Sequence, residues 1–180
     1  MPSWLWIVIG VVVAAAVAAA VVAAITAWTN AVRRYLLRLM SRREEARAFR
    51  RAFDGLVEQV RADDKEKARF ADDADGVERH SLSELRDRSR LLAQELNTVA
   101  LPKRLWPSAE ALADACDILA EEAGRVGDEA LGDEVLEGLD AIDLSRVDAA
   151  FKHADLQFAR MTESLGVEDS KESFGGGLYY

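Results

Sequence analysis

The chain begins with a long apolar segment in which no side chain carries a charge. Residues 4–25 read WLWIVIGVVVAAAVAAAVVAAI. About 20 apolar residues in a helix, at roughly 1.5 Å per residue, cross a hydrocarbon core of about 30 Å. Three tryptophans bracket the run as interfacial aromatic residues do, namely Trp4, Trp6 and Trp28. The pattern predicts a single transmembrane helix over residues 4–28, after a short extracytoplasmic N-terminus at residues 1–3.

A signal peptide or a buried helix fits this apolar run less well than a span does. A cleaved signal peptide has a basic n-region and a shorter apolar core, whereas the first three residues, MPS, contain no basic side chain. A buried core helix rarely extends this far without a polar residue. Small residues recur at every fourth position, as at Gly10, Ala14 and Ala18. Because this arrangement lets helices approach closely, a homo-oligomer formed through the span is one hypothesis.

A second hydrophobic pattern follows the span. Side chains recur at alternating spacings of four and three residues, all apolar except one arginine: Tyr35, Leu39, Arg42, Ala46, Phe49, Phe53, Leu56 and Val60. This spacing places them on one face of a helix. No proline occurs between residues 3 and 101. We therefore predict a basic amphipathic juxtamembrane helix over residues 29–60 that continues directly from the span.

Two further segments complete the predicted fold, which is all-α. Residues 61–80 are dense in charge and poor in apolar side chains, and they predict a charged linker. Residues 81–166 carry several amphipathic patterns and predict a small acidic helical bundle, since no strand-like alternation competes with them. Because each apolar face is as narrow as in a coiled coil, a dimeric coiled-coil assembly is the alternative architecture.

Three longer helices are expected within this bundle. The first begins at a capping box, Ser81–Glu84, and has Ser89 as the one polar side chain on its apolar face. The second follows Pro107 with Ser108 as its N-cap, and the third has Ser145 as its N-cap. The apolar faces of the second and third helices consist of Leu112, Cys116, Leu119, Ala123 and Val126, and of Leu144, Val147, Phe151, Ala154, Phe158, Met161 and Leu165.

The distribution of charge adds topology to this picture. Residues 33–51 contain eight arginines and two glutamates, a net charge of +6, whereas residues 52–180 contain 15 basic and 30 acidic side chains, a net charge of −15. Basic residues close to a span stay on the cytoplasmic side. We therefore expect a single-pass protein of the cell membrane, with its N-terminus outside and its bundle in the cytoplasm. The excess of arginine over lysine is typical of a GC-rich bacterial genome.

The arginines nearest the span are also expected to bind the bilayer surface. Anionic headgroups of the inner leaflet attract nearby basic side chains, and six arginines lie close enough to the span: Arg33, Arg34, Arg38, Arg42, Arg43 and Arg47. Nucleic acid is not expected as a partner, because the net charge of −15 over the rest of the chain repels phosphate. A protein partner is expected, although its identity is unknown.

The C-terminal segment suggests where such a partner binds. Residues 167–180 read VEDSKESFGGGLYY and are expected to form a flexible tail. Its apolar tip, formed by Leu178, Tyr179 and Tyr180 with the terminal carboxylate, suits a groove on a docking partner. A frayed tail without a partner is the alternative.

No catalytic, cofactor-binding or metal-binding constellation is found in the sequence. The calcium-loop resemblance of Asp73–Gly76 fails in register, because Ala71 and Leu82 fall at ligand positions. His80 and His153 are 73 residues apart and lack metal-ligand spacing. The adjacent pair Glu121-Glu122 is interpreted as part of a solvated face, and the single cysteine, Cys116, as a buried apolar residue. No metal ion and no cofactor are therefore expected.

These observations favour a non-enzymatic, membrane-anchored protein whose cytoplasmic helical bundle acts as a scaffold or adaptor. An accessory or regulatory subunit of a larger membrane complex, such as a transporter or envelope machine, is the alternative. A helical-bundle enzyme or metal protein using His80 or His153 is the third hypothesis. Bundles do host such sites, but the spacing of these histidines from suitable acids argues against it.

Overall fold

The computed structural model describes residues 3–128 and 130–165, with side chains described from residue 31 onward and at residues 16–24 and 26–27. These residues form six α-helices and one 3₁₀ turn, and no strand. The helices are α1 (Ser3–Ala62), α2 (Asp64–Asp72), α3 (Val77–Thr98), α4 (Trp106–Ala123), α5 (Asp133–Asp140) and α6 (Leu144–Ser164), and the 3₁₀ turn is Lys103–Leu105. The prediction of an all-α fold is confirmed.

The chain divides into two compact units, residues 1–40 and residues 41–180. Within the described residues, no helix is both long enough and apolar enough to cross a membrane. Most side chains of the predicted span at residues 4–28 lie outside that described part. The predicted tail, including Leu178, Tyr179 and Tyr180, also lies outside the described residues.

The core of the second unit is built around α4. This helix packs closely against both α3 and α6. Its buried face is rich in alanine, and small side chains let neighbouring helices approach closely. The predicted apolar face of α4, including Leu112, Cys116 and Leu119, is buried, and so are Phe151 and Phe158 of α6. These two predicted faces are confirmed, with Leu144 and Leu165 at the ends half-buried.

The buried face of α1 differs from the predicted one within residues 41–62. Ala46, Phe53 and Val60 are buried as predicted, but Phe49 and Leu56 are only half-buried. The buried positions are 43, 46, 53, 57 and 60, and the half-buried position 50 falls in the same alternation of three and four. The side chains at 43 and 50 on this face are arginines. A search for apolar residues alone does not include these two arginines. The helix face that it predicts is therefore rotated toward solvent relative to the buried face.

The first turns of three helices also differ from the predictions. Helix α3 begins at Val77 after Gly76, four residues before the expected capping box, and the Ser81 hydroxyl donates to the Val77 carbonyl. Ser108 lies inside α4 and donates to the Gln157 carbonyl of α6 at 3.1 Å. The N-cap of α6 is Asp143, whose carboxylate accepts from the backbone N–H groups at positions 145 and 146.

The segment predicted as a charged linker, residues 61–80, contains the last two residues of α1, the whole of helix α2 and the first turn of α3. Asp63 caps α2 by accepting from the Lys65 N–H at 2.9 Å. Phe70 and Ala71 of α2 are buried, so this short helix contributes to the core despite its many charges.

A close backbone contact lies beyond α4. Gly138 of α5 approaches the Arg125 carbonyl so closely that a Cβ would lie 2.6 Å from that oxygen. Only glycine allows this contact, so α5 can pack directly on the chain that leaves α4.

Ser89 provides a test of the core of α3. Its side chain is fully buried, and its hydroxyl has no hydrogen-bond partner. A buried polar group without a partner costs about 1–3 kcal/mol, so Ser89→Ala is expected to raise the free energy of unfolding by about 1 kcal/mol. Ser108→Ala is the matched control. Its hydroxyl is equally buried but bonded, so its removal is expected to lower stability. A loss of stability in Ser89→Ala, measured by denaturant unfolding of the full chain, would contradict this description.

Candidate functional site

The eight arginines of residues 33–51, here called the arginine block, all lie on α1, and they differ in exposure. Arg33, Arg34, Arg38 and Arg51 are exposed. The other four form ion pairs within the second unit: Arg42, Arg43, Arg47 and Arg50. Three of the exposed arginines lie in residues 1–40, whereas Arg51 and the four paired arginines lie in the second unit.

Two of the paired arginines follow a seven-residue repeat. Arg43 and Arg50 on α1 are seven residues apart, and each meets one phenylalanine and one aspartate of α6 that are themselves seven apart. We call this set the arginine seam: Arg43, Arg50, Asp148, Phe151, Asp155 and Phe158. Position 43 pairs with 155 and 158, and position 50 with 148 and 151. The two helices therefore run antiparallel with a single register.

The first rung of the seam is the more deeply buried. The Arg43 side chain is 8% exposed, its Nε donates to Asp155 Oδ1 at 3.0 Å, and its guanidinium lies 4.9 Å from the centre of the Phe158 ring. Arg47 donates to the same Asp155 oxygen at 2.9 Å. Both the ring face and the carboxylate attract the cation, so the desolvated Arg43 is compensated on two sides.

The second rung repeats the chemistry closer to solvent. Arg50 donates to Asp148, lies 5.7 Å from the centre of the Phe151 ring, and contacts Asp54 at 3.4 Å. Lys152 also pairs with Asp148, at 2.5 Å. The Arg50 side chain is 29% exposed, against 8% for Arg43, so water screens its ion pairs more and each is worth less than the pair of the first rung.

Two further arginines attach α1 to other parts of the bundle. Arg42 donates to Glu95 near the end of α3 at 2.6 Å. Arg61, in the last turn of α1, donates to the carbonyls of Leu139 and Ile142 at 2.5 and 3.0 Å. The part of α1 that belongs to the second unit is thus fixed along its length by guanidinium groups.

The structure therefore gives the six predicted lipid-binding arginines different surroundings. Arg33, Arg34 and Arg38 are exposed. The remaining three, Arg42, Arg43 and Arg47, are occupied by carboxylates of the bundle. Binding of lipid headgroups stays a prediction for all six arginines. The structure pairs three of them with carboxylates of the bundle and leaves the other three exposed.

A second buried charge lies where α4 meets the start of α6. Glu122 is fully buried, and its carboxylate accepts from Arg125 Nε at 2.5 Å, from Arg146 at 2.8 Å and from the Asp143 N–H at 2.9 Å. Burial alone would raise the pKa of Glu122, but these hydrogen bonds outweigh it and lower the pKa.

The interpretation of Glu121-Glu122 as a solvated face is wrong for Glu122. Arg125, three residues further along the chain, donates to the Glu122 carboxylate, and Arg146 donates to it from α6, which packs against α4. The interpretation holds for Glu121, which is 58% exposed. Two adjacent glutamates point apart on a helix, so the fold buries one and leaves the other in water.

Arg79 fixes the loop between α4 and α5. Its Nη2 donates to the carbonyls of Gly127, Asp128 and Ala130 at 2.7–3.1 Å, and its guanidinium lies 5.6 Å from the centre of the Phe70 ring. The other terminal nitrogen, Nη1, is buried without a partner. In the sequence, Arg79 is one of three arginines in the charge-dense residues 61–80, and nothing in that pattern indicates that its side chain is buried.

An open cleft of about 210 Å³ lies beside Arg79. Its lining consists of Ala74, Asp75, Arg79, His80, Ser83 and Asp128. Its walls are mainly polar, and they carry two carboxylates, Asp75 and Asp128, beside the one guanidinium of Arg79. His80 is exposed at its edge, and His153 is exposed on α6.

The described residues offer little reactive chemistry. No group of three or more His, Cys, Asp or Glu side chains among them is placed to hold a metal ion. Cys116 is buried, and burial with the nearby Asp117 charge raises the pKa of its thiol to about 12. A thiol in that state is a poor nucleophile at neutral pH. The buried charged groups among the described residues hold helices together.

A comparison of this chain with protein-family models, with curated proteins and with solved structures finds no match.

The arginine seam is tested by removing its shared carboxylate. Asp155→Ala leaves the buried Arg43 without an acceptor, and hydrogen bonds to charged groups are worth about 1.5–3 kcal/mol, so stability is expected to fall by about 2 kcal/mol. Glu44→Ala is the control, since Glu44 pairs with Arg47 on the exposed surface; its effect is expected within about 0.5 kcal/mol. If the two substitutions change the free energy of unfolding equally, the pairing of Arg43 with Asp155 stabilises the fold no more than an exposed ion pair does.

Glu122 predicts a pH dependence of stability. Its pKa in the folded chain is lower than the ordinary 4.5, so the unfolded chain binds the proton first and acidification below about that pH favours unfolding. The pKa values of Asp54 and Asp117 are raised by burial and act in the opposite direction. Glu122→Gln is therefore expected to lower stability at neutral pH by about 2 kcal/mol and to reduce the acid-dependent loss.

The control for this pH test is Glu121→Gln, which removes the exposed partner of the same Arg146. It is expected to change the pH profile less, because exposed pairs are screened by water. An identical pH profile in wild type and Glu122→Gln, followed by denaturant unfolding at a series of pH values, would show that the buried carboxylate does not carry the effect.

Proposed function

We propose that this protein is a non-enzymatic, single-pass membrane protein that presents a cytoplasmic helical bundle as a scaffold or adaptor. The observation that carries the proposal is the order of charge along α1. Residues 1–32 carry no charged side chain, and residues 33–51 carry a net charge of +6. An uncharged run of this length followed at once by basic residues is typical of a span whose following segment stays in the cytoplasm.

The exposed arginines support a bilayer as the neighbour of this part of α1. Arg33, Arg34 and Arg38 are exposed, as is the apolar Leu37 between them, which is 53% exposed. Positions 33, 34, 37 and 38 share one helix face. A face that combines guanidinium groups with an apolar side chain suits the headgroup region, where anionic lipids attract each basic residue by about 1 kcal/mol.

The adaptor role is supported by the way the bundle is held together. Its buried arginines and Glu122 are engaged in fixing helices, so these charged groups serve stability. What remains for a partner is a strongly acidic surface, since residues 52–180 carry a net charge of −15. A protein partner with a basic face fits that surface, and the C-terminal residues 178–180 remain a proposed docking tip.

Membrane anchoring is tested with two substitutions at the centre of the uncharged run. Wild-type chain is expected to stay in the membrane fraction after alkaline washing. Val13→Asp with Val17→Asp is expected to release it, because each central aspartate costs about 3 kcal/mol of insertion free energy. The matched control is Val77→Asp, at a surface position of α3 that is 77% exposed, and it should stay in the membrane. Release of the wild-type chain by the alkaline wash would overturn the proposal.

A further inference from the structure

The turn between α3 and α4 differs in charge and in exposed surface from the rest of the bundle. No acidic residue occurs between Glu95 and Glu110, in a part of the chain that otherwise carries 30 acids. Lys103 and Arg104 in this turn are exposed. So are two apolar side chains, Trp106 at 56% and Val99 at 39%. We call the four residues Val99, Lys103, Arg104 and Trp106 the basic aromatic turn.

The turn is well ordered by its own contacts. Leu105 is fully buried beneath it and fixes the 3₁₀ turn Lys103–Leu105 to the core. The Trp106 indole N–H donates to the Leu101 carbonyl at 2.9 Å. The indole therefore has its polar atom satisfied while more than half of its surface faces outward. Fixing a tryptophan in this state is unfavourable in water and favourable at a membrane–water interface.

The position of the turn follows from contacts inside the second unit. Glu95, three residues before the end of α3, is bonded to Arg42, and Ser108 in the first turn of α4 is bonded to Gln157, next to Phe158 of the seam. The basic aromatic turn therefore lies at the end of the bundle that contains Ser41. That is the end at which the chain continues into residues 1–40.

We propose that the basic aromatic turn is a second membrane-contact site of this protein, in which Trp106 enters the interface of an anionic bilayer and Lys103 and Arg104 bind lipid phosphates. This inference rests on the proposed membrane anchoring. Residue 41 follows residue 28 by 13 positions, so the end of the bundle that carries the turn is the end nearest in sequence to the proposed span. Basic side chains extend along apolar surface to reach phosphates while an adjacent tryptophan packs at the headgroup level.

Electrostatics make this contact selective for one end of the bundle. An anionic leaflet repels residues 52–180 as a whole, given their net charge of −15. The turn is locally cationic, so it is attracted where the rest is repelled. The contact would orient the bundle and leave its acidic surface turned toward the cytoplasm, where a basic partner could bind.

The test uses full-length chain with Trp106 as its single tryptophan, after Trp4→Phe, Trp6→Phe and Trp28→Phe. The chain is reconstituted into phosphatidylcholine vesicles with and without phosphatidylglycerol, and its fluorescence is quenched by lipids brominated near the headgroup. The expected result is blue-shifted Trp106 emission and several-fold stronger quenching in anionic vesicles. Replacing Lys103 and Arg104 by glutamine, or raising the salt concentration, is expected to reverse both changes.

The matched control places the tryptophan at the opposite end of the bundle. Leu131→Trp, made in a chain that also carries Trp106→Phe, uses another exposed apolar position, 56% exposed and next to the Arg79-bound loop at the start of α3. Helix α3 separates the two ends by about 33 Å. The tryptophan introduced by Leu131→Trp is expected to show solvent-like emission and no quenching in either vesicle.

Flotation of the same vesicles separates the two proposals. If the chain floats with the vesicles but Trp106 remains solvent-like, or is quenched no more than the control tryptophan of the Leu131→Trp chain, the inference fails while membrane anchoring stands. If the chain does not float, both fail. Quenching of Trp106 that is equal with and without phosphatidylglycerol would also overturn the inference, because the phosphates of anionic headgroups would then play no part.

Discussion

The attachment of α1 to the bundle depends on one interaction, the pairing of its guanidinium groups with carboxylates and aromatic rings on α6. Apolar packing is less specific for one helix register than a buried charge that must meet its partner. A buried cation disfavours another register, because moving Arg43 away from Asp155 and Phe158 would leave a charge without compensation. The same pairing one repeat further on, at Arg50, fixes the direction of the two helices as well as their register. Polar groups at core positions are known to set register in helical assemblies.

The other buried charges have the same effect at the ends of helices. Glu122 gathers two arginines and a backbone N–H where α4 ends and α6 begins, and Arg79 binds three carbonyls of the loop before α5. These contacts take up polar backbone groups that a short loop would otherwise leave without partners. In this strongly acidic bundle, the buried arginines thus pair with carboxylates and carbonyls of neighbouring elements. This pairing explains how buried charges are compatible with packed helices.

The sequence predicted the elements whose core positions are all apolar and failed where a charged residue occupies such a position. The faces of α4 and α6 were predicted correctly because their apolar residues recur without interruption. The face of α1 was misplaced because Arg43 and Arg50 break the apolar count, although the shared spacing of seven in Arg43–Arg50 and Asp148–Asp155 was present in the sequence. Glu122 could not be found, since its burial depends on Arg146 arriving from another helix. The lipid and partner contacts of the chain remain proposals.

The most direct measurement is the coupling free energy between Arg50 and Asp148, the two charged members of the less buried rung. A double-mutant cycle with Arg50→Met and Asp148→Asn, measured by denaturant unfolding of the full chain, isolates the pair from the contacts that each residue makes elsewhere. The seam predicts a favourable coupling of about 1 kcal/mol or more. A coupling near zero would mean that the second rung adds nothing to apolar packing, and the account of a two-rung seam that fixes the direction and register of α1 and α6 would be wrong.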